Sequence, residues 1–217
     1  MEIIPVLNAV DEETLSNRRD IASSFLNGKN TVHVDIADGS FTEGYKTWVT
    51  PENFSQVFSS FLPKISLHIM SSEVEKILSE WLAVNPARVI VHFDSISDIS
   101  GVLSLCENKN TPVYLAMTPT TNMADFLKAV SAFDGCLVLA VAPGKGGQDF
   151  SPASLVQIKE VREHFPSLPI CVDGGVNLEV VKACKNAGAT ELAVGAHIFN
   201  DANPEKIYKE FVEESGG

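Results

Sequence analysis

The sequence predicts an α/β protein that folds as one single-domain (β/α)8 TIM barrel over residues 1–217. Short apolar segments alternate with helical patterns along the whole chain, the strand–helix unit recurs about every 25 residues, and no linker interrupts the series. The apolar segments are rich in Val, Ile and Leu, as buried parallel strands are. The eight predicted strands are 3–7, 31–36, 65–70, 88–93, 113–117, 136–141, 170–172 and 191–194.

The segments between these strands carry helix start and stop signals. Proline and small polar residues begin several of them, and Gly188 lies where a C′ glycine would end one. A doubly wound open sheet is the alternative architecture. It rarely contains eight evenly spaced parallel units, and the first strand is not followed by a G-x-G-x-x-G motif. The start signals are Pro51, Ser72, Pro152, Asn177 and Pro204, for helices predicted over 51–61, 74–83, 151–165, 178–186 and, as the eighth, 204–214.

Composition and charge exclude several classes of protein. Hydrophobic residues make up 45% and charged residues 20%, which is typical of a globular chain. The 16 Lys and Arg residues against 28 Asp and Glu residues leave a net charge of −12, so we expect no nucleic-acid partner. No apolar run of about 18 residues and no basic N-terminal region are present, so we expect neither a membrane span nor a secretory signal.

Four cysteines are widely separated and form no C-x-x-C pair. Each lies in an apolar run or a helical pattern, which is typical of reduced structural thiols. We therefore expect a cytoplasmic protein. Since the exposed helices of barrels often pair, homo-oligomerisation is left open.

Polar side chains lie at the ends of several predicted strands, where barrel enzymes place their function. Side chains alternate along a strand, so His33 and Asp35 share one face of strand 2 and point into the barrel. A buried carboxylate needs a counter-charge, and no Lys or Arg occupies these strand ends. With His68 and Asp173, the set would offer two imidazoles and two carboxylates to one divalent ion, Zn²⁺, Fe²⁺, Mn²⁺ or Co²⁺.

A lone buried histidine is more often a hydrogen-bonded core residue than a metal ligand. Four converging candidates on three strands reverse that preference. His92, late in strand 4, is left open between a structural role and support of a ligand. His164 and His197 fall on or beside helices and are expected at the surface.

Glycine-rich loops follow the last three strands, over 142–148, 173–177 and 195–196. Without side chains, the backbone N–H groups of such loops can approach an anion closely. Barrels often bind phosphate after strands 7 and 8, so the three loops together favour a phosphate site, although each alone is explained by a tight turn. The loop over 38–50 is either a lid or an ordinary connection that packs Trp48.

These residues together resemble the ribulose-phosphate 3-epimerase family of metal-dependent barrels, over essentially the whole chain. The resemblance implies that His33, Asp35, His68 and Asp173 bind the metal and that Asp35 and Asp173 are the catalytic acid/base pair. The most specific matching segments are 5–9, 33–41, 67–70, 91–93, 143–148, 172–177 and 195–199. The implied substrate and phosphate contacts are Asn8, His68, Gly144, Gly146, Gly147, Gly175, Gly195 and Ala196.

Several positions depart from the family's pattern, and none of them removes a metal ligand or a proton carrier. Asn8 and Ala196 stand where serines are usual, and Lys145 where a phenylalanine is common. Val-Pro-Asn usually follows the residue equivalent to Phe41, where this chain has Thr-Glu-Gly. Ala37 and Leu139 replace two methionines that normally wall the metal pocket, whereas Met70 is kept.

The resemblance implies epimerisation at carbon 3 of a ketopentose phosphate, D-ribulose 5-phosphate to D-xylulose 5-phosphate. Two carboxylates would transfer the proton through a metal-stabilised enediolate. Two alternatives stay open: a ketohexose 6-phosphate 3-epimerase of the allulose 6-phosphate type, and an inactive homologue that binds sugar phosphates. A sugar-phosphate decarboxylase of the related barrel group is disfavoured, because Asp35-Ile36-Ala37-Asp38 offers no lysine between its carboxylates.

Overall fold

The computed structural model describes residues 1–216 and confirms the predicted barrel. Eight strands pair in one parallel sheet in the order β1-β8-β7-β6-β5-β4-β3-β2. Their bounds lie within two residues of the predicted strand starts and ends. The strands are β1 (Glu2–Pro5), β2 (Thr31–Ala37), β3 (Lys64–Met70), β4 (Arg88–His92), β5 (Val113–Met117), β6 (Gly135–Leu139), β7 (Ile170–Asp173) and β8 (Glu191–Val194).

The sheet closes between β1 and β2, its first and last strands in spatial order. Val6 forms an isolated parallel bridge with His33, and the Leu7 N–H donates to the His33 carbonyl at 2.8 Å. The Val6 N–H donates to the Val194 carbonyl at 3.0 Å on the other side. This closure brings the residues after β1 beside both β2 and β8 at the mouth of the barrel.

The helices begin largely at the predicted signals. Thr50 caps the helix that Pro51 opens, and Asn177 caps a short 3₁₀ turn (Leu178–Val180) that precedes the predicted seventh helix. Gly188 adopts φ +112° as expected at C′. The helices are α1 (Glu12–Phe25), α2 (Pro51–Val57), α3 (Val74–Leu82), α4 (Ile99–Glu107), α5 (Met123–Val130), α6 (Ser154–His164), α7 (Val181–Ala187), α8 (Ala196–Phe199) and α9 (Pro204–Ser215).

Three helix predictions need correction. The helix begun by Pro51 ends at Val57 rather than at 61, and α3 makes no side-chain cap at its start, so Ser72 is not its N-cap. The predicted eighth helix is the ninth within residues 1–216, because the single turn α8 intervenes after β8. No helix in this range combines the length and apolarity needed to cross a bilayer.

The apolar core has two layers. The larger layer lies between sheet and helices and takes the outward side chains of the strands, such as Val32 and Val34 of β2. The smaller layer fills the barrel with inward side chains, including Ile90, Leu137 and Ala193. Alternation along each strand therefore sends His33 and Asp35 inward, as predicted.

An ion pair occupies the N-terminal end of the barrel interior, opposite the predicted site. Arg88 Nη1 lies 2.6 Å from Glu191 Oε2, and the Arg88 guanidinium stacks 4.4 Å from the Tyr114 ring centroid. The Tyr114 hydroxyl donates to Glu191 at 3.2 Å, and Arg88 Nε donates to Ser66 Oγ at 2.8 Å. These contacts join the N-terminal halves of β3, β4, β5 and β8.

We expect Glu191→Gln to lower the free energy of unfolding by about 3 kcal/mol, because the buried Arg88 loses its counter-charge. Urea denaturation measures this loss. The control is Glu205→Gln, which breaks the exposed ion pair with Lys209 and should cost at most about 0.5 kcal/mol. Equal losses in the two variants would contradict a stabilising role of the buried pair.

Candidate metal centre and active site

Four side chains from three strands converge at the C-terminal end of the barrel interior. His33 and Asp35 come from β2, His68 from β3 and Asp173 from β7, and one ligand atom of each lies within 4.8 Å of all the others. The β2–β3 register makes Asp35 the direct neighbour of His68. All four residues are buried. The set proposed from the sequence is therefore a cluster in space.

Asp35 is the centre of this cluster. Its Oδ1 lies 2.9 Å from His33 Nε2 and 3.0 Å from His68 Nδ1. Its Oδ2 accepts a hydrogen bond from the Asn8 side-chain amide, whose oxygen accepts from the Asp35 N–H at 3.2 Å. Burial would raise the pKa of Asp35, but the hydrogen bonds and charges of His33 and His68 hold it well below its usual value. Asp35 is therefore ionised at neutral pH.

Asp173 lies on the pocket side of the cluster. Its Oδ2 is 3.6 Å from His68 Nδ1 and 3.8 Å from His33 Nε2, and its side chain is 12% exposed against 6% for Asp35. The two carboxylates thus face the same pair of imidazoles from different strands. Asp173, and not Asp35, lines a cavity that opens at this end of the barrel.

The state of His68 follows from its neighbours. Burial would lower its pKa, but hydrogen bonds with Asp173 and Asp35 raise the pKa of His68 to about 9. Its Nε2 lies 2.9 Å from His92 Nε2, and burial together with the nearby His68 charge lowers the pKa of His92 well below its usual value. Neutral His92 accepts from His68 Nε2, which leaves Nδ1 of His68 for the cluster. His92 therefore supports His68 without being one of the four donors.

The chemistry of the donors fits a divalent cation. Two imidazoles and two carboxylates suit a borderline transition metal, and the two negative charges would neutralise a dication. Among residues 1–216, neither Asp35 nor Asp173 forms an ion pair with a Lys or Arg. Within the described residues 1–216, the histidines alone face the buried carboxylates as possible positive charges, so the cluster can hold a metal ion.

A cavity of about 800 Å³ opens above this cluster. Of the predicted substrate and phosphate residues, Gly144 is not in its lining but lies against Thr42 and Tyr45 of the loop after β2. His68 lies below the floor, fully buried. The predicted residues that line the cavity are Asn8, Gly146, Gly147, Gly175, Gly195 and Ala196.

Gly175 shows why the loop after β7 needs glycine. Its φ is +67°, and a Cβ there would lie 2.2 Å from the backbone nitrogen of Phe150. The loops after β6 and β7 therefore touch backbone to backbone. A side chain at this position would separate the two loops and change the wall of the cavity.

The loop after β2 is folded against the barrel mouth. The Trp48 N–H donates to the Ala9 carbonyl, the Thr47 N–H donates to the Ala37 carbonyl at 3.0 Å, and Trp48 packs on the core. Its Tyr45 side chain lines the cavity. The loop is thus packed on the barrel and contributes one aromatic side chain to the cavity.

The sequence analysis missed several cavity residues. Arg18 and Thr14 come from α1, and Tyr45 from the loop after β2. His197 is exposed, as expected, but it also lines the cavity. None of these residues lies on a strand, so strand periodicity carried no signal for them.

The fold and the site define a (β/α)8 barrel with a two-histidine, two-carboxylate cluster below a glycine-lined cavity at the C-terminal strand ends. A model of the "Ribulose-phosphate 3 epimerase family" matches residues 2–199. The chain belongs to the ribulose-phosphate 3-epimerase family, a family of isomerases.

Relatives in this family share about a quarter of the sequence. Ribulose-phosphate 3-epimerase of Schizosaccharomyces pombe is 27% identical over 207 residues, covering 95% of this chain and 90% of the relative. The enzyme of that name from Escherichia coli is 24% identical over 199 residues, covering 90% and 88%.

Solved structures with this fold include 3-hexulose-6-phosphate synthase from Salmonella typhimurium, with a TM-score of 0.72, 13% identity and coverage of 99% and 98%. Orotidine 5'-phosphate decarboxylase from Pyrococcus horikoshii gives a TM-score of 0.68 at 13% identity and covers 99% of both chains. At these identities the two matches show the shared fold alone.

We predict that metal binding at pH 7 releases about one proton per ion, because His68 must lose a proton to offer Nδ1. Titration of the EDTA-treated protein with Zn²⁺ in buffers of different ionisation enthalpy measures the release. Above the His68 pKa of about 9 the release should fall towards zero, and below it the affinity should decrease as the pH falls. His164→Gln, an exposed histidine, should behave as the parent. Proton-neutral binding at pH 7 would contradict the prediction.

Proposed function

We propose that this protein epimerises carbon 3 of a ketopentose phosphate and interconverts D-ribulose 5-phosphate and D-xylulose 5-phosphate. The observation that carries the proposal is the convergence of Asp35 and Asp173 on one cluster, with Asp173 at the floor of a cavity large enough for a sugar phosphate. Membership in the ribulose-phosphate 3-epimerase family supports the same reaction.

Inversion of a carbon beside a ketone needs a base on one face and an acid on the other. We assign these roles to Asp35 and Asp173, which come from β2 and β7 on different sides of the barrel. Asp35 is ionised and so is ready to accept the proton from carbon 3. Asp173 returns a proton to the opposite face, and the two roles exchange when the reaction runs in the other direction.

The neighbours of Asp35 hold its carboxylate in one orientation. His33 and His68 contact Oδ1, and the Asn8 amide contacts Oδ2 and the Asp35 N–H. A base held from both oxygens is positioned before the substrate arrives, which lowers the cost of reorganisation during proton transfer. Asn8 also lines the cavity, so it lies between the substrate and the base.

We propose that one divalent ion, Zn²⁺, Fe²⁺, Mn²⁺ or Co²⁺, is held by His33, Asp35, His68 and Asp173. When bound, such an ion supplies Lewis-acid stabilisation of the negative charge that develops on the substrate oxygens. The phosphate is assigned to the glycine-lined end of the cavity, where Gly146, Gly147, Gly175, Gly195 and Ala196 offer backbone N–H groups.

A ketohexose 6-phosphate is the second candidate substrate. The cavity of about 800 Å³ leaves room for a longer sugar, and Asn8 and Lys145, two of the departures from the family's pattern, line it. Comparison of kcat/KM for D-ribulose 5-phosphate and D-allulose 6-phosphate distinguishes the two.

We also propose a cytoplasmic location, supported by four cysteines that are all free and buried and so fit a reducing compartment. Pairing of two copies through the barrel helices stays a prediction.

We expect Asp35→Asn and Asp173→Asn each to lower kcat by about 10³-fold or more while the fold is kept, because the amide matches the carboxylate in shape but accepts no proton. The measurement is incorporation of solvent deuterium at carbon 3, followed by NMR with metal-loaded enzyme. Asp125→Asn, at an exposed ion pair with Lys128, is the control.

Near-normal exchange in either active-site variant would overturn the two-carboxylate mechanism. An absence of exchange in the metal-loaded parent with both sugar phosphates would instead support the inactive binding homologue.

A further inference from the structure

Arg18 is a half-buried arginine in the wall of the substrate cavity. It projects from α1, and one of its nitrogens, Nη1, donates to the backbone carbonyl of Asn8. Its guanidinium carbon lies 5.5 Å from the centroid of the Phe199 ring. Arg18 is thereby held between Asn8, three residues after β1, and Phe199, the last residue of α8.

The charge of Arg18 has no carboxylate partner within 4.0 Å among residues 1–216. The neighbouring Arg19 pairs with Asp20 at 2.6 Å, and Arg88 pairs with Glu191 at 2.6 Å. Arg162 also has no such partner, but its donors are taken by the carbonyls of Gly188, Phe165 and Pro166. Arg18 makes a single hydrogen bond, so four of its five N–H donors are left for something else.

This lack of a partner is unusual in a chain with a net charge of −12. Burial lowers the pKa of Arg18 because the charged form loses hydration, and the Tyr45 side chain, which also lines the cavity, opposes part of that shift. Asp149 and Asp201 also line the cavity, but neither lies within 4.0 Å of the guanidinium. Lys145, another cavity residue, is likewise without a carboxylate at that distance.

Arg18 lies at the end of the cavity where the glycine loop after β8 begins. The Phe199 N–H donates to the Gly195 carbonyl at 3.1 Å, so the ring under the guanidinium belongs to the turn that starts at Gly195–Ala196. Gly195 packs against Val6, two residues before Asn8. Both residues that hold Arg18, Asn8 and Phe199, therefore belong to segments that contact Gly195.

We propose that Arg18 is a substrate-binding residue whose guanidinium donates hydrogen bonds to the phosphate of the ketose phosphate. Planar N–H pairs match phosphate oxygens, and the Phe199 ring limits the rotation of the guanidinium, so little freedom is lost on binding. Backbone N–H groups from the glycine loops supply part of the phosphate contacts, and Arg18 adds the full positive charge that those loops lack. The inference rests on the proposed function, which it deepens by naming a determinant of specificity for phosphorylated sugars.

The test compares Arg18→Gln with Arg19→Gln, because the adjacent arginine does not line the cavity. The probes are D-arabinitol 5-phosphate and D-arabinitol, two polyols that cannot react and differ only in the phosphate. Calorimetry with the metal-loaded protein should show about 30-fold weaker binding of the phosphorylated polyol to Arg18→Gln, and binding within about twofold of the parent for Arg19→Gln. Arg18→Lys should fall between the parent and Arg18→Gln.

The steady-state kinetics of Arg18→Gln are a second test of the same proposal. With D-ribulose 5-phosphate, Arg18→Gln should raise KM far more than it lowers kcat, since Asp35 and Asp173 are unchanged. If Arg18→Gln weakened D-arabinitol as much as its phosphate, Arg18 would act only by supporting Asn8 and the proposal would be overturned. Unchanged affinity for the phosphorylated polyol would also overturn it.

Polyol binding separates this proposal from the proposed function. Loss of phosphate affinity in Arg18→Gln in a protein that epimerises neither sugar would support Arg18 as a phosphate ligand and reject the activity. Epimerase activity in the parent, combined with an unchanged affinity of Arg18→Gln for the phosphorylated polyol, would support the proposed activity and reject Arg18 as a phosphate ligand.

Discussion

The structure of the site depends on the burial of one carboxylate. Asp35 lies inside the barrel with its two oxygens held by His33, His68 and Asn8. A carboxylate in this position is stable only where positive charge or hydrogen-bond donors surround it, and here the donors come from β2, β3 and the segment after β1. Barrel closure through the Val6–His33 bridge brings Asn8 to Asp35, so the contacts that close the barrel also hold the Asp35 carboxylate.

Two charged clusters lie at opposite ends of the barrel interior, an ion pair at the N-terminal strand ends and the histidine–carboxylate cluster at the C-terminal strand ends. At the N-terminal end of the strands, Arg88, Tyr114 and Glu191 form a cluster in which the charges of Arg88 and Glu191 are paired with each other. At the C-terminal end, the two buried carboxylates have no Lys or Arg partner among residues 1–216 and face two histidines and the Asn8 amide. The first arrangement needs no ligand, whereas the second concentrates negative charge where a cation would stabilise it. This contrast distinguishes a structural ion pair from a binding site within one barrel.

Asn8, Lys145 and Ala196, three of the departures from the family's sequence pattern, line the cavity. The Asn8 side chain donates to Asp35 Oδ2 and accepts from the Asp35 backbone N–H, which needs the donor and the acceptor of one amide together. Its carbonyl also accepts from Arg18. The segment after β1 therefore links α1, Asp35 on β2 and the turn after β8. A substitution of Asn8 would change the contacts of Arg18 and Asp35 together.

The sequence alone determined the eight strands and the four donors, because burial on both faces produces continuous apolar runs and alternation makes His33 and Asp35 face inward. It also determined the glycine loops, where positions such as Gly175 admit no side chain. Only the tertiary structure showed that Arg18 and Tyr45 line the cavity and that His92 contacts His68. It also showed that Gly144 does not line the cavity. These residues lie on helices, loops or neighbouring strands whose mutual distances arise from barrel closure, and no local periodicity encodes a distance between segments far apart in the chain.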